Sequence, residues 1–211
     1  MTIAAALFDF GGVVSTSPFE AFARYERERG LPDGFIRMLN STNPDANAWA
    51  RLERSEVNFE EFCQLYEGEA RAAGFELDAR QVMVLLGGDI RPAMVEAIRR
   101  CSERLKTAIL TNNFVRGDAN GAGVGVGRMG ALGDWVDAVI ESSKLGFRKP
   151  DPRFYHHACE VLEIEPKEAV FLDDLGVNLK PARAMGMTTI KVADPEEALR
   201  QLEAVVAFSL R

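Results

Sequence analysis

Apolar and polar positions fall into three regimes along the chain. The first is an unbroken apolar run, Ala4-Ala5-Ala6-Leu7-Phe8, ending in Asp9 and the Gly11-Gly12 pair. A short run bounded by turn residues predicts a buried parallel strand that stops at Asp9. From Ser15 to Asp89 the spacing becomes helical. Ser17-Pro18 predicts a helix start behind a Ser cap, with Phe19, Phe22, Ala23 and Tyr25 near one face and Gly30 as the stop. Further helices are predicted over 34–39, 46–54, 59–73 and 79–86, with Asn58 as a cap and Gly74 as a stop. Phe59, Phe62, Leu65 and Tyr66 recur at helical spacing and predict a local core. The charged run 24–29 reads as a solvated helix face. No strand pattern interrupts this block.

From Arg91 onward helix and strand alternate. Helices are predicted over 92–103, 153–162, 179–185 and 195–207, and strands over 106–110, 138–142, 169–172 and 188–192. Strands alternating with helices imply βαβ units and a parallel sheet, an α/β fold. The all-helical block 15–89 is then an insertion after the first strand, and 1–14 with 90–211 form the core. Seven glycines lie between Gly117 and Gly133. Without a strand-then-helix setting they read as a surface loop, not as a nucleotide fingerprint.

Composition narrows the function. The 211 residues are 47% hydrophobic and 27% charged, with a formal net charge of −7. That balance argues against nucleic acid or an anionic membrane as partner, since both select basic faces. No apolar segment approaches membrane-spanning length, and because Met1-Thr2-Ile3 runs straight into the first strand no signal peptide is expected. Cys63, Cys101 and Cys159 are widely spaced and odd in number, as expected for reduced, packed thiols in a cytoplasmic protein.

The candidate chemistry sits at strand ends. Asp9, Thr111, Lys149 and the pair Asp173-Asp174 all fall at, or just beyond, the carboxyl ends of predicted strands. Open α/β sheets bind ligands there. Three carboxylates brought together repel one another unless a cation lies among them. Oxygen ligands of this kind suit Mg²⁺ with a phosphate oxygen. Lys149 adds a cation and Thr111 a hydroxyl donor, so the set fits a small phosphorylated substrate. Asp9 is the candidate nucleophile, forming an aspartyl-phosphate. The glycine pair brings backbone N–H groups toward an anion.

Asp9-Phe10-Gly11-Gly12-Val13, Thr111-Asn112-Asn113, Lys149-Pro150-Asp151-Pro152 and Phe171-Leu172-Asp173-Asp174 resemble, in order, the four motifs of the haloacid dehalogenase superfamily. Residues 142–152 and 170–183 are similar to one branch of it, which includes the N-terminal phosphatase domain of soluble epoxide hydrolase and the N-terminal domain of acyl-CoA dehydrogenase family member 10. The resemblance implies a Rossmann-like three-layer core with a central parallel sheet and a helical cap of the C1 type over the site. It also implies Mg²⁺-dependent hydrolysis of phosphate monoesters. Carried over by position, Asp9 is the nucleophile and Lys149 the charge-balancing lysine. Phe10, Gly11, Thr111, Asn112 and Asn113 surround the phosphate. Asp9, the Gly11 carbonyl, Asp174 and Asp173 surround the metal, with the choice of direct ligand between Asp173 and Asp174 left open.

One position departs from that pattern. Phosphatases of the superfamily usually carry a second Asp two residues after the nucleophile, and here Gly11 stands there. Losing a positioned acid typically costs about 10² to 10⁴ in rate. The expectation is a weak phosphatase, or one sensitive to its leaving group, that relies on another acid, on substrate protonation or on an activated phosphate; the cap offers Glu20, Arg24 and Glu53, and nothing in the sequence selects among them. The rivals are a metal-free 2-haloacid dehalogenase, a branch that typically has a neutral residue at the first Asp of the pair, and a non-catalytic binder of phosphorylated ligands. A monomer and a homodimer are equally compatible with the sequence.

Overall fold

Strict alternation in β1 (Ala5–Phe8) sets the layers, because successive side chains of a strand point to opposite faces. In a computed structural model, which describes residues 2–114, 132 and 135–210, Ala6 and Phe8 face one apolar cluster while Ala5 and Leu7 face another. β1 is followed by a glycine turn over 10–14 and five helices: α1 (Phe19–Arg29), α2 (Phe35–Ser41), α3 (Ala48–Glu53), α4 (Phe59–Ala72) and α5 (Ala79–Val84). Then come α6 (Pro92–Ser102), β2 (Lys106–Thr111), β3 (Ala138–Glu141), the single turn α7 (Ser142–Leu145) and α8 (Pro152–Leu162). β4 (Ala169–Asp173), α9 (Gly176–Ala184), β5 (Thr188–Lys191) and α10 (Pro195–Val206) complete the chain.

The five strands are parallel in the order β3-β2-β1-β4-β5. Met94, Ile98, Leu199 and Leu202 of α6 and α10 cover one face. Phe154, Tyr155, Leu179 and Ala182 of α8 and α9 cover the other, which makes the architecture α/β and Rossmann-like. The chain leaves β1 toward β2 and β3 and later returns to the opposite side of β1 as β4. The crevice at such a reversal is where open sheets bind ligands. The register sets Phe8 against Ile109 and Leu172, so Asp9 and Asp173 end level, with Thr111 one residue further along β2.

Helices α1–α5 bury a cluster of their own, including Phe22, Tyr25, Phe35, Ile36, Phe62 and Tyr66, with Phe62 stacked on Tyr66 at 5.2 Å between centroids. Asn58 and Glu61 form a reciprocal capping box at the start of α4, a device worth about 1 kcal/mol. The block leaves and rejoins the sheet through two linkers that pair with each other. Thr16 N–H donates to Asp89 O at 2.8 Å, Asp89 N–H to Thr16 Oγ1 at 2.9 Å, and Arg91 N–H to Val14 O at 2.8 Å.

Several details differ from the sequence-based expectations. α1 is preceded by Pro18 with no side-chain cap, and Ser17 Oγ is buried without a partner among the described residues. Glu26 is not on a solvated face: it is buried, and its carboxylate accepts the Gly34 and Ile36 N–H groups at 2.8 Å each. Those amides open α2, where helix donors lack partners of their own, so the buried charge is compensated. Leu65 points outward. β3 ends at Glu141, and Ser142 instead begins α7. The glycine-rich stretch from Gly117 lies outside the described residues. No helix among those described is long and apolar enough to cross a membrane, and all three cysteines are buried free thiols.

Candidate active site

Lys149 is the hub of the strand-end cluster. It enters from the turn before α8 across a cis Lys149–Pro150 bond and is 1% exposed. Its ammonium donates to Asp9 Oδ1 at 2.7 Å, to Leu110 O at 2.8 Å and to Asp173 Oδ2 at 2.8 Å. Three acceptors exhaust the three donors of an ammonium, so its direction is fixed. Asn112 pins the same residue from behind: its amide nitrogen donates to Lys149 O at 3.0 Å, and its oxygen accepts the Lys149 N–H at 2.9 Å.

Asp173 is fully buried and committed to the protein. Besides Lys149, its oxygens accept the Leu175 N–H at 2.8 Å and both Asn178 amide contacts at 3.0 and 3.1 Å. The Tyr155 hydroxyl donates to Asn178 O at 2.6 Å, anchoring the start of α9. Asp174 is half-buried and lies over the glycine turn. Gly12 has φ +82°, and a Cβ there would collide with the Asp174 carboxylate, so this glycine is required on two counts. Gly11 differs: its φ is −74°, it is exposed, and a Cβ would meet nothing within 4 Å.

Oxygens of Asp9, Asp173 and Asp174 all lie within 4.8 Å of one another. Three carboxylates against one ammonium leave negative charge uncompensated. Burial pushes the Asp9 carboxyl up to about 8; Lys149 opposes this, and Asp173 and Asp174 reinforce it. Asp174 is pushed up to about 6, first by burial and then by Asp173, with Lys149 and the more distant Arg37 opposing. Burial pulls the Lys149 pKa down, but Asp173 and Asp9 outweigh it and hold it above the ordinary value. Lys149 therefore favours its charged form, while burial and mutual repulsion favour the protonated forms of Asp9 and Asp174.

The structure thus brings together Asp9, Lys149, Asp173 and Asp174, with Thr111 at the end of the neighbouring strand β2, and it uses other side chains elsewhere. Phe10 is packed into the sheet core, and its carbonyl accepts the Ser15 N–H at 2.9 Å. The Asn112 side chain serves Lys149, as above. Asn113 is buried, and its amide reaches Glu141 at 2.7 Å and Ser143 at 2.8 Å. For these three residues only backbone groups remain to face a ligand. Glu53 is occupied by Trp49 and Arg148, which removes it as a replacement acid. Lys144 is exposed and paired with Glu141. Asn178 escaped the sequence reading; its signal is an amide five residues after the strand-end Asp173, at the start of a helix folding back over it.

A family model described as haloacid dehalogenase-like hydrolase matches residues 3–186. The chain is 33% identical over 222 residues to bifunctional epoxide hydrolase 2 of Sus scrofa, covering 100% of this chain and 40% of that protein. It is 34% identical to acyl-CoA dehydrogenase family member 10 of Mus musculus over 98% of this chain and 19% of that protein. The chain therefore spans well under half the length of these two relatives. A phosphatase of Mycobacterium tuberculosis is 30% identical over 89% of this chain and 86% of its own length. Among solved structures, an Asp-to-Ala variant of a family enzyme of Bacteroides thetaiotaomicron, in complex with magnesium and inorganic phosphate, superposes with a TM-score of 0.66 at 19% identity. That match covers 91% of this chain and 96% of the other.

Proposed function

The chain belongs to the haloacid dehalogenase-like hydrolases, and from that premise we propose that it hydrolyses phosphate monoesters with Mg²⁺ through an aspartyl-phosphate on Asp9. The carrying observation is the buried Lys149 ammonium held between Asp9 and Asp173 while Asp174 stands beside them in a net anionic cluster. The kinship to a phosphatase and the magnesium and phosphate bound in the Bacteroides enzyme support the reading.

The donor set fits a divalent cation. Asp9, Asp174 and the Gly11 carbonyl are the proposed direct ligands. Asp173, saturated by Lys149, Leu175 and Asn178, supports the site from behind or through water. When bound, Mg²⁺ neutralises phosphoryl charge and favours ionised carboxylates. Lys149 lowers the cost of ionising Asp9 and orients it for attack on phosphorus. Thr111 and the backbone N–H groups of the 10–12 turn and Asn112 are the proposed phosphoryl donors. Attack forms the Asp9–phosphorus bond and breaks the ester bond; water then releases phosphate and regenerates Asp9. With glycine at position 11 the departing alkoxide lacks a side-chain acid at that position, so good leaving groups are preferred.

The helical block 15–89 acts as the cap and 1–14 with 90–211 as the catalytic core. Support comes from the separate apolar cluster of the block and its paired linkers. Buried free thiols are in keeping with a cytoplasmic setting. The test is turnover of p-nitrophenyl phosphate and acetyl phosphate with and without Mg²⁺, wild type beside Asp9→Asn. Metal-dependent turnover lost in Asp9→Asn is expected. Metal-free dechlorination of 2-chloropropionate without phosphate release would assign the site to the dehalogenases instead.

A further inference from the structure

Arg148 and Glu53 lie 95 residues apart in the chain and join the helical block to the segment that carries Lys149. Arg148 Nη1 contacts Glu53 Oε2 at 2.5 Å, and Nη2 donates to Pro44 O at 2.9 Å. The second Glu53 oxygen accepts the Trp49 indole N–H at 2.9 Å. Both ends of the pair are shielded, with side chains 15% and 10% exposed, so this is not a surface bridge of negligible value. We propose that Arg148 is a positioning residue that ties docking of the helical block to placement of the Lys149 ammonium.

The link is one peptide long. Lys149, the next residue, is gripped on both backbone groups by Asn112, so a displacement of Arg148 is passed to Lys149 with little slack. A second tie runs in parallel. Ser55 Oγ donates to Ser143 O at 3.0 Å, Ser143 is held by Asn113, and Phe114 packs into the cluster of the helical block. Both ties end on the segments that deliver Thr111 and Lys149. Undocking the block breaks the Arg148–Glu53 pair but returns both charges to water, so the opened form is accessible. The same opening removes the lateral support of Lys149, and a misplacement of about 1 Å in a catalytic group costs about 10²-fold in rate. The kinetic consequence rests on the phosphatase reading; the structural one does not.

The test uses Glu53→Arg and Arg148→Glu, singly and together, in a Trp135→Phe background where Trp49 is the sole indole. Hydrogen exchange of the amides of 148–151, Trp49 emission, and kcat and KM on acetyl phosphate are measured. Each single reversal is expected to speed exchange and lower kcat by about tenfold or more, with KM changed less than about twofold. The double reversal is expected to recover most of both losses, while Trp49 emission stays shifted in it and in Glu53→Arg because that substitution removes the indole's acceptor. Should a reversal fail to fold, Glu53→Gln, which keeps an acceptor for Trp49, is expected to show the same kcat-specific loss and faster exchange. Unchanged exchange at 148–151, or a double variant no better than the singles, overturns the proposal. If wild type turns over no phosphate ester, the phosphatase reading fails, while exchange at 148–151 still decides on the tie.

Discussion

Gly11→Asp is the substitution that separates steric from chemical reasons for the missing acid. The backbone there accepts any L residue, since φ is −74° and ψ 123°, and the added Cβ meets open space within 4 Å. The change therefore costs little in folding. A positioned general acid contributes about 10² to 10⁴ in rate, which is about 3–5 kcal/mol of barrier at 1.36 kcal/mol per decade. A carboxyl installed without the surrounding refinement is expected to recover the lower part of that range, about tenfold to 10²-fold. It also adds a fourth carboxylate to a cluster where burial and charge crowding already raise Asp9 and Asp174, so the Mg²⁺ requirement rises.

The gain should depend on the ester. An alkyl phosphate expels a basic alkoxide and gains in full, whereas p-nitrophenyl phosphate has a stable leaving group and gains little. The assay is kcat/KM over a series of esters at saturating Mg²⁺, with Gly11→Asn and Gly11→Ala beside Gly11→Asp. The expected result is a shallower dependence on leaving-group basicity in Gly11→Asp alone, with thermal midpoints of all three close to wild type. Equal gains on every ester, the same gain in Gly11→Asn, or unfolding of Gly11→Ala would refute the reasoning.

Other expectations follow from the same geometry. Gly12→Ala should lose Mg²⁺-dependent activity and stability together, because that position has φ +82° and its Cβ would run into Asp174; a thermal melt and a magnesium titration check it. Asn178→Leu removes two hydrogen bonds from buried Asp173, and is expected to lower kcat about 10- to 100-fold and stability by about 1–3 kcal/mol, read by kinetics and denaturant unfolding. For pH, the folded pKa of Asp174 is raised from 3.8 to about 6, so the stabilising proton is fully held below pH 3.8 and lost as pH rises through 6. Metal-free protein should therefore lose about 3 kcal/mol over that interval, with Asp9 extending the loss toward about 8. Melts from pH 4 to 8 should show the slope in wild type, a weaker one in Asp174→Asn, and its suppression by Mg²⁺; a metal-free midpoint that rises with pH through the interval contradicts it.

The parts of this architecture that were legible in the sequence are those whose signal is local. Alternation of Ala5, Ala6, Leu7 and Phe8 across a two-sided sheet yields an apolar run, and a carboxylate at its end is visible without knowing the neighbours. Strand ends converge in any parallel sheet, so Asp9, Thr111 and Asp173 could be grouped before their register was known. What escaped depends on direction. Nothing local shows that Arg148, next to Lys149, turns away to Glu53. Nor does spacing alone show that Asn112 grips a backbone rather than a ligand, or that Glu26 is drawn inward by the open amides at the start of α2.

The two glycines make the same point inside one motif. Both read as turn residues, yet Gly12 is dictated by φ and by the Asp174 carboxylate above it, whereas Gly11 is dictated by neither. A residue that sterics require would stand there whatever the chemistry, so Gly12 carries no information about the reaction. Gly11 does, because its backbone and the open space around a Cβ admit a side chain and none is there. Its absence leaves the first-strand loop with one reactive carboxylate, and Lys149, with its three fixed acceptors, is too constrained to lend a proton in its place. With no acid at position 11, sensitivity to leaving-group basicity is the property of this site on which the phosphatase reading can be tested most sharply.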